Sequence, residues 1–177
     1  PEPLAALLNF TREIILSKQG SKLSPINVHD IICHIGQTVV VGSVRRSALI
    51  SISDLDDVEM RDAKTMENLN LYPYRWQANN SAAYNEVPTD DQFLDEFNQL
   101  RVNKTGERGM VNRYAMYHTM PERRRAILGD RWKRLGLNPC GEILLNSYQF
   151  CNLTTVPLRS DMTPEDIYEA QRISAMI

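Results

Sequence analysis

Apolar residues recur at helical spacing in the first stretch, "PLAALLNFTREIILSKQG". Leu4, Leu7, Leu8, Ile14 and Leu16 mark one face, and Gly20 stops the pattern. A second helix follows over "SPINVHDIICHIGQTVV", where Val28, Ile31, Ile32, Ile35 and Val39 repeat in the same way. The period then changes. In "SVRRSALISIS", Ala48, Ile50 and Ile52 alternate with Ser47, Leu49 and Ser51, the signature of a buried strand.

"DLDDVEMRDAK" has acidic residues in its first turn and basic ones at its end, which suits a helix dipole. "WQANNSAAYN" is a candidate short strand. "TDDQFLDEFNQLRVN" reads as an amphipathic helix capped by Thr89, with Phe93, Phe97 and Leu100 on its apolar face. "TGERGMVNR" is a Gly-containing loop entering a short apolar piece, and "PERRRAILGDRWKRLG" is a basic helix interrupted at Gly129. "NPCGEILL" and "FCNLTTVPL" read as a loop and a strand. "TPEDIYEAQRISAMI" opens a last helix with Thr163 as N-cap and Pro164 in its first turn. Strands alternate with helices, so the expected class is α/β with a largely parallel sheet.

Composition narrows the function classes. A net charge of −2, from 20 basic and 22 acidic residues, gives no bulk electrostatic case for nucleic-acid or membrane binding. The longest apolar runs fall well short of a membrane span, and the start lacks the pattern of a signal peptide. Three cysteines do not make a disulfide framework, so the expectation is a reduced, cytoplasmic protein. The chain starts without Met and stops inside a helical pattern, which reads as a segment of a longer polypeptide.

Candidate chemistry concentrates in "LGLNPCGEILLNSYQFCNLTTV". If that loop is extended, Asn138, Cys140 and Glu142 at i, i+2 and i+4 project to one side, bringing an amide, a thiol and a carboxylate together. Such a trio suits sulfur chemistry on a substrate that an amide holds and a carboxylate deprotonates. A turn around a buried structural cysteine accounts for the same spacing, and spacing leaves both readings open. Cys151 on its own fits a core position in an apolar run. Cys33 and His34 fit structural positions on a helix.

No metal site is expected, because there is no CxxC and His29, His34 and His118 stand at no ligand spacing with the cysteines. Gly42, Ser43, Arg45 and Arg46 form a turn with two arginines between apolar segments, open to a nucleotide-binding role or to a solvated pair. Arg123 to Arg125 read as a solvated helix face. "TGERG" lacks the spacing and the lysine of a phosphate loop.

Taken together, these stretches resemble the ribonucleotide reductases, and within them the adenosylcobalamin-dependent class. The specific part is "NPCGEI" followed by "CNL", with Cys140 and Cys151 eleven positions apart. "VVVGSVRRSALISISD", "ANNS" and "GERGMVNR" fall in the family's order, and the resemblance runs from about Val28 to Pro157.

The resemblance implies part of a ten-stranded α/β barrel over residues 1–177, with a finger loop through its centre and Cys140 at the tip as the thiyl-radical site. It implies that Cys140 removes hydrogen from C3′ of the ribose and that Glu142 takes the 3′-hydroxyl proton. Asn138 would hydrogen-bond the same region, and Cys151 would be one of two reducing cysteines. The other lies earlier than this chain begins, and Cys33 does not match it. The implied cofactor is adenosylcobalamin. The implied partners are a ribonucleoside triphosphate substrate, an effector deoxynucleotide relayed through Gly42, Ser43, Arg45 and Arg46, and a thioredoxin-like reductant. Open strand edges in a partial barrel imply self-association. Two alternatives stay open here: the large subunit of an iron-dependent reductase, whose segment resembles "NLCLE", and a non-catalytic nucleotide-binding module.

Overall fold

In the computed structural model, which describes residues 2–41 and 47–176, the chain divides into two compact units, Pro1–Ser147 and Tyr148–Ile177. The first begins with two helices, α1 (Glu2–Ser17) and α2 (Pro25–Val41). Strand β1 (Leu49–Asp54) follows, then the short helices α3 (Val58–Asp62) and α4 (Met66–Leu71) and a 3₁₀ turn over Pro73–Gln77. Next come β2 (Ala78–Tyr84), α5 (Asp90–Asn103) and β3 (Gly109–Asn112). Helices α6 (Arg113–Thr119) and α7 (Glu122–Leu128) and a 3₁₀ turn over Gly129–Arg134 lead to a hairpin of β4 (Gly136–Leu137) and β5 (Leu144–Leu145). The second unit contains α8 (Pro164–Ser174).

Strands β1, β2 and β3 form one parallel sheet with β2 in the centre, as the alternation of strands and helices predicts. In register, Ser51 lies beside Asn80 and Ser81 beside Gly109. The central strand is buried along nearly its whole length. By contrast, β1 is only half-buried, as befits an edge, so it is less enclosed than its sequence suggests. Gly109 is where two strands close in: a Cβ there would stand 2.9 Å from Ser81 Oγ.

One layer against this sheet is polar as well as apolar. Asp30 of α2 receives a two-pronged hydrogen bond from Arg75, Nε to Oδ1 at 2.6 Å and Nη2 to Oδ2 at 2.8 Å, and both residues are buried. Lys64 donates to Glu107 Oε1 and to the Ala78 carbonyl, each at 2.6 Å, while Glu107 Oε2 accepts from the Asn80 amide at 2.9 Å. Arg108 grips Glu96 through Nε and Nη2 and reaches back to Ser53 and to the carbonyls of Asp54 and Leu55. The "GERG" stretch is therefore a clasp across β1, β2 and β3, with Glu107 and Arg108 as its two arms.

That clasp corrects the reading of α5. The helix and its Thr89 cap form as expected, with Thr89 and Gln92 in a reciprocal capping box. Its apolar residues, however, do not make the buried face: Phe93 and Phe97 are about half exposed, while Glu96 is 2% exposed. A buried guanidinium demands a buried carboxylate, and this demand overrides the apolar periodicity. The strand expected over "FCNLTTVPL" is irregular chain instead. A β-branched run needs a neighbouring strand for its amides, and none pairs with it among the described residues. Helix α8 starts as predicted, with Thr163 and Asp166 capping each other.

No described helix is long and apolar enough to cross a membrane.

Candidate active site

The chemistry-bearing stretch is the loop of the β4–β5 hairpin. Leu137 pairs with Leu144 and Gly136 with Leu145, so residues 138–143, "NPCGEI", are the connection between the two strands. The loop is folded rather than extended. The Gly141 amide donates to the Asn138 carbonyl at 2.9 Å, a tight turn with Pro139 and Cys140 at its two central positions. Gly141 follows at φ +85°, a left-handed conformation that glycine adopts without a Cβ penalty.

Asn138 clasps this loop from below. Its amide donates to the Ile143 carbonyl at 3.2 Å, and its Oδ1 accepts from the Ile143 amide at 2.9 Å. Asn138 is buried, whereas Cys140 and Glu142 are exposed. The side-by-side projection expected of an extended loop is thus replaced by a division of labour: the amide folds the loop, and the thiol and carboxylate stand out from it.

The base of the hairpin is anchored on both arms. Arg113 donates from Nε to the Leu135 carbonyl at 2.8 Å and from Nη1 to the Lys133 carbonyl at 3.0 Å. Arg124, in the run read as a solvated face, is exposed yet donates to the Leu144 carbonyl at 3.3 Å. Beneath lies an apolar cluster of Met120, Leu128, Trp132 and Leu135, against which Leu144, Tyr114 and Tyr117 pack. Tyr117 stacks on Trp132 with ring centroids 5.0 Å apart. The tip is held separately, by Asn79 of β2, whose Nδ2 donates to the Pro139 carbonyl at 3.0 Å.

Other candidates fall elsewhere. Cys151 is half-buried in the irregular chain of the second unit. Gly42, Ser43, Arg45 and Arg46 lie outside the described residues. Cys33 is fully buried, 3.6 Å from His29 Nε2, and His29 Nδ1 lies 2.7 Å from Ser51 Oγ. Burial, with Asp30 adding to it, pushes the Cys33 thiol up to about 12. Burial likewise pulls His29 down to about 4. This Cys–His pair is therefore held neutral, the opposite of an activated thiolate. His34 packs at a tilt against both Phe10 and Tyr74, ring centroids 4.0 and 4.3 Å away, a packing role.

A cavity of about 710 Å³ opens at the C-terminal ends of β1 and β2, lined by Asp54, Tyr84, Asn85, Glu86, Asp95 and Glu96 among others, and Cys140 is not part of it. Among the described residues no group of three His, Cys, Asp or Glu side chains is placed to hold a metal ion.

The residues that sequence reasoning missed are the supports, namely Asn79, Glu107, Arg108 and Arg113. Two of the stretches that carry the family resemblance, "ANNS" and "GERGMVNR", contain all four, and their signal was a motif without an assigned role.

No protein-family model matches the chain, and no solved structure matches it significantly. Curated proteins do match. The adenosylcobalamin-dependent ribonucleoside-triphosphate reductase of Lacticaseibacillus paracasei is 35% identical over 164 residues, which is 88% of this chain and 20% of the relative. The proteins of the same name from Lactobacillus gasseri and Lactobacillus leichmannii are each 32% identical, covering 99% of this chain and 23% of their own length. These names do not favour an iron-dependent subunit or a non-catalytic module. By its sequence, the chain belongs to the ribonucleotide reductase family, and it spans between a fifth and a quarter of the length of these adenosylcobalamin-dependent relatives.

Proposed function

We propose that this segment carries the radical-bearing finger loop of a reductase that converts ribonucleoside triphosphates to deoxyribonucleotides for DNA synthesis, in the cytoplasm. The observation that supports it most is the "NPCGE" hairpin, which presents Cys140 at an exposed turn braced from three sides. Around it, the parallel sheet and its helices form part of a ten-stranded α/β barrel.

Cys140, as a thiyl radical, takes the hydrogen from C3′ of the ribose and becomes a thiol. Glu142 accepts the 3′-hydroxyl proton; it stands two residues along the same loop, exposed like the thiol. Asn138 fixes the loop through Oδ1 and, by the family resemblance, hydrogen-bonds the same part of the ribose. The 2′-hydroxyl takes a proton from one of the two reducing thiols and leaves as water, and once the ribose is reduced Cys140 returns its hydrogen to C3′ and is again a thiyl radical. Two electrons come from a pair of cysteine thiols that become a disulfide, and Cys151 is one of them. A thioredoxin-like dithiol reduces that disulfide, so the overall reaction consumes one dithiol and releases one water per nucleotide.

Adenosylcobalamin, when bound, supplies the radical by homolysis of its cobalt–carbon bond. The tip fits approach by a large group: Cys140 is exposed, and among the described residues none but the chain neighbours comes within 4 Å of where a Cβ on Gly141 would stand. No described residue is assigned to holding the corrin. The loop of Gly42, Ser43, Arg45 and Arg46 relays the effector deoxynucleotide to substrate choice. Exposed Val28, Ile32, Ile35 and Val39 along α2 support self-association of the isolated segment.

The test is to give the full-length protein a ribonucleoside triphosphate, adenosylcobalamin and a dithiol. Formation of the deoxyribonucleoside triphosphate is the expected result. Product without the cofactor, or none with it, would overturn the reading.

A further inference from the structure

The geometry points to Asn79 as a positioning residue for Cys140: its hydrogen bond from β2 to the Pro139 carbonyl sets where the loop tip, and with it the sulfur, stands over the sheet. This rests on the proposed role of Cys140 as the radical site.

Three observations carry it. The bond joins residues 60 apart in sequence, and its acceptor is the peptide carbonyl directly before Cys140, so it acts on the residue that bears the thiol. The other described anchors of the hairpin lie away from the tip. Arg113 binds the Lys133 and Leu135 carbonyls, Arg124 binds the Leu144 carbonyl, and Asn138 closes the loop on itself through Ile143. Those contacts hold the base and the curvature, whereas Asn79 acts on the tip itself.

Asn79 is itself well fixed. It sits in the central strand, paired with Ile50, and the next residue along, Asn80, has its amide held by Glu107. Neighbouring strand residues point to opposite faces. Glu107, holding the Asn80 main-chain amide, therefore fixes this part of the strand, and Asn79 transmits that position to the loop. An amide at residue 79 does what an aliphatic side chain does not: it presents an N–H to a carbonyl across a gap between two elements.

The experiment uses the full-length protein with Asn79→Ala, Asn79→Asp and Asn79→Gln. Asp keeps the size of Asn but replaces the donor with an acceptor that repels the Pro139 carbonyl. Gln keeps the donor on a longer arm. Turnover is measured with saturating cofactor and reductant, and the rate at which iodoacetamide alkylates Cys140 is read by mass spectrometry without cofactor or substrate.

Losing a tether of ordinary hydrogen-bond strength should raise alkylation about three- to tenfold in the Ala and Asp variants. It should lower kcat by about tenfold or more with KM changed by less than about twofold, because a displaced reacting atom costs rate rather than binding. Gln should recover most of both. Unchanged alkylation and kcat in the Ala and Asp variants would overturn the proposal, and so would a fall in kcat that leaves alkylation unchanged or that Gln does not relieve. The alkylation arm needs no turnover. If Cys140 proves not to carry the radical, that failure appears in the activity of Cys140→Ser and is distinct from failure of the tether.

Discussion

Replacing Glu96 with Gln tests the polar clasp that underlies the whole sheet. Arg108 is 2% exposed, and all five of its N–H donors are used. Glu96 takes two, Nε to Oε1 at 2.7 Å and Nη2 to Oε2 at 3.0 Å. Ser53 Oγ and the carbonyls of Asp54 and Leu55 take the rest at 2.9, 3.1 and 2.8 Å. Gln fits the same space but removes the charge of Glu96 that compensates the guanidinium, and it turns an NH₂ toward a donor.

Breaking a buried pair from one side costs about 3–5 kcal/mol. The three neutral acceptors that remain put the expected cost near 3 kcal/mol, the lower end of that range. Hydrogen exchange followed by mass spectrometry reads this locally, on peptides spanning β1 and β3 in the full-length protein. A loss of that size speeds exchange of their slowest amides by about 10²-fold. A change under about twofold would refute the reasoning, since the clasp would then contribute little to the sheet.

His29 gives a pH signature. Its folded-state value of about 4 lies below the ordinary 6.5, so the unfolded chain takes up the proton first as pH falls. Its contribution to stability is therefore complete above about pH 6.5 and is lost toward pH 4, by up to about 3 kcal/mol. Melting curves across that window should flatten in His29→Gln; an unaltered profile would remove His29 as the cause. Gly141→Ala forces a side chain into the left-handed region at a cost of about 1–2 kcal/mol, so turnover should fall about tenfold while melting of the protein barely moves. Equal turnover would show that the turn does not position Cys140. Glu142→Gln should lower kcat about 10²–10⁴-fold, the contribution of a lost general base. An unchanged kcat would take Glu142 out of the mechanism.

Much of this was readable along the chain, for reasons that are local. Thr89 and Thr163 cap their helices through contacts within one turn, the alternation in "LISIS" marks a strand, and its parallel pairing with the short strand "ANNSAAY" follows from the helices between them. What could not be read is long-range. Arg75 finds Asp30, Lys64 finds Glu107 and Arg108 finds Ser53 across large stretches of sequence, and periodicity treats each of these charges as solvated. For that reason periodicity puts Phe93 and Phe97 on the apolar face of α5 and gives no sign that Glu96 is the buried residue.

At the site, the spacing left an extended loop and a turn both open, and the backbone is a turn. The side chain of Asn138 sets that turn, because an amide one residue past a strand can accept from the far end of the loop, at Ile143, and fold it. The supports "ANNS" and "GERG" were visible only as motifs, since their function is to touch residues far away.

The central claim is that Cys140 is the residue on which the chemistry turns. The most direct measurement is deoxyribonucleotide formation by the full-length protein carrying Cys140→Ser, with adenosylcobalamin and a dithiol, beside the unaltered protein. The account predicts loss of product to background with folding intact, because a hydroxyl does not replace the thiol as a hydrogen-abstracting radical. Turnover above about a tenth of that of the unaltered protein would contradict it.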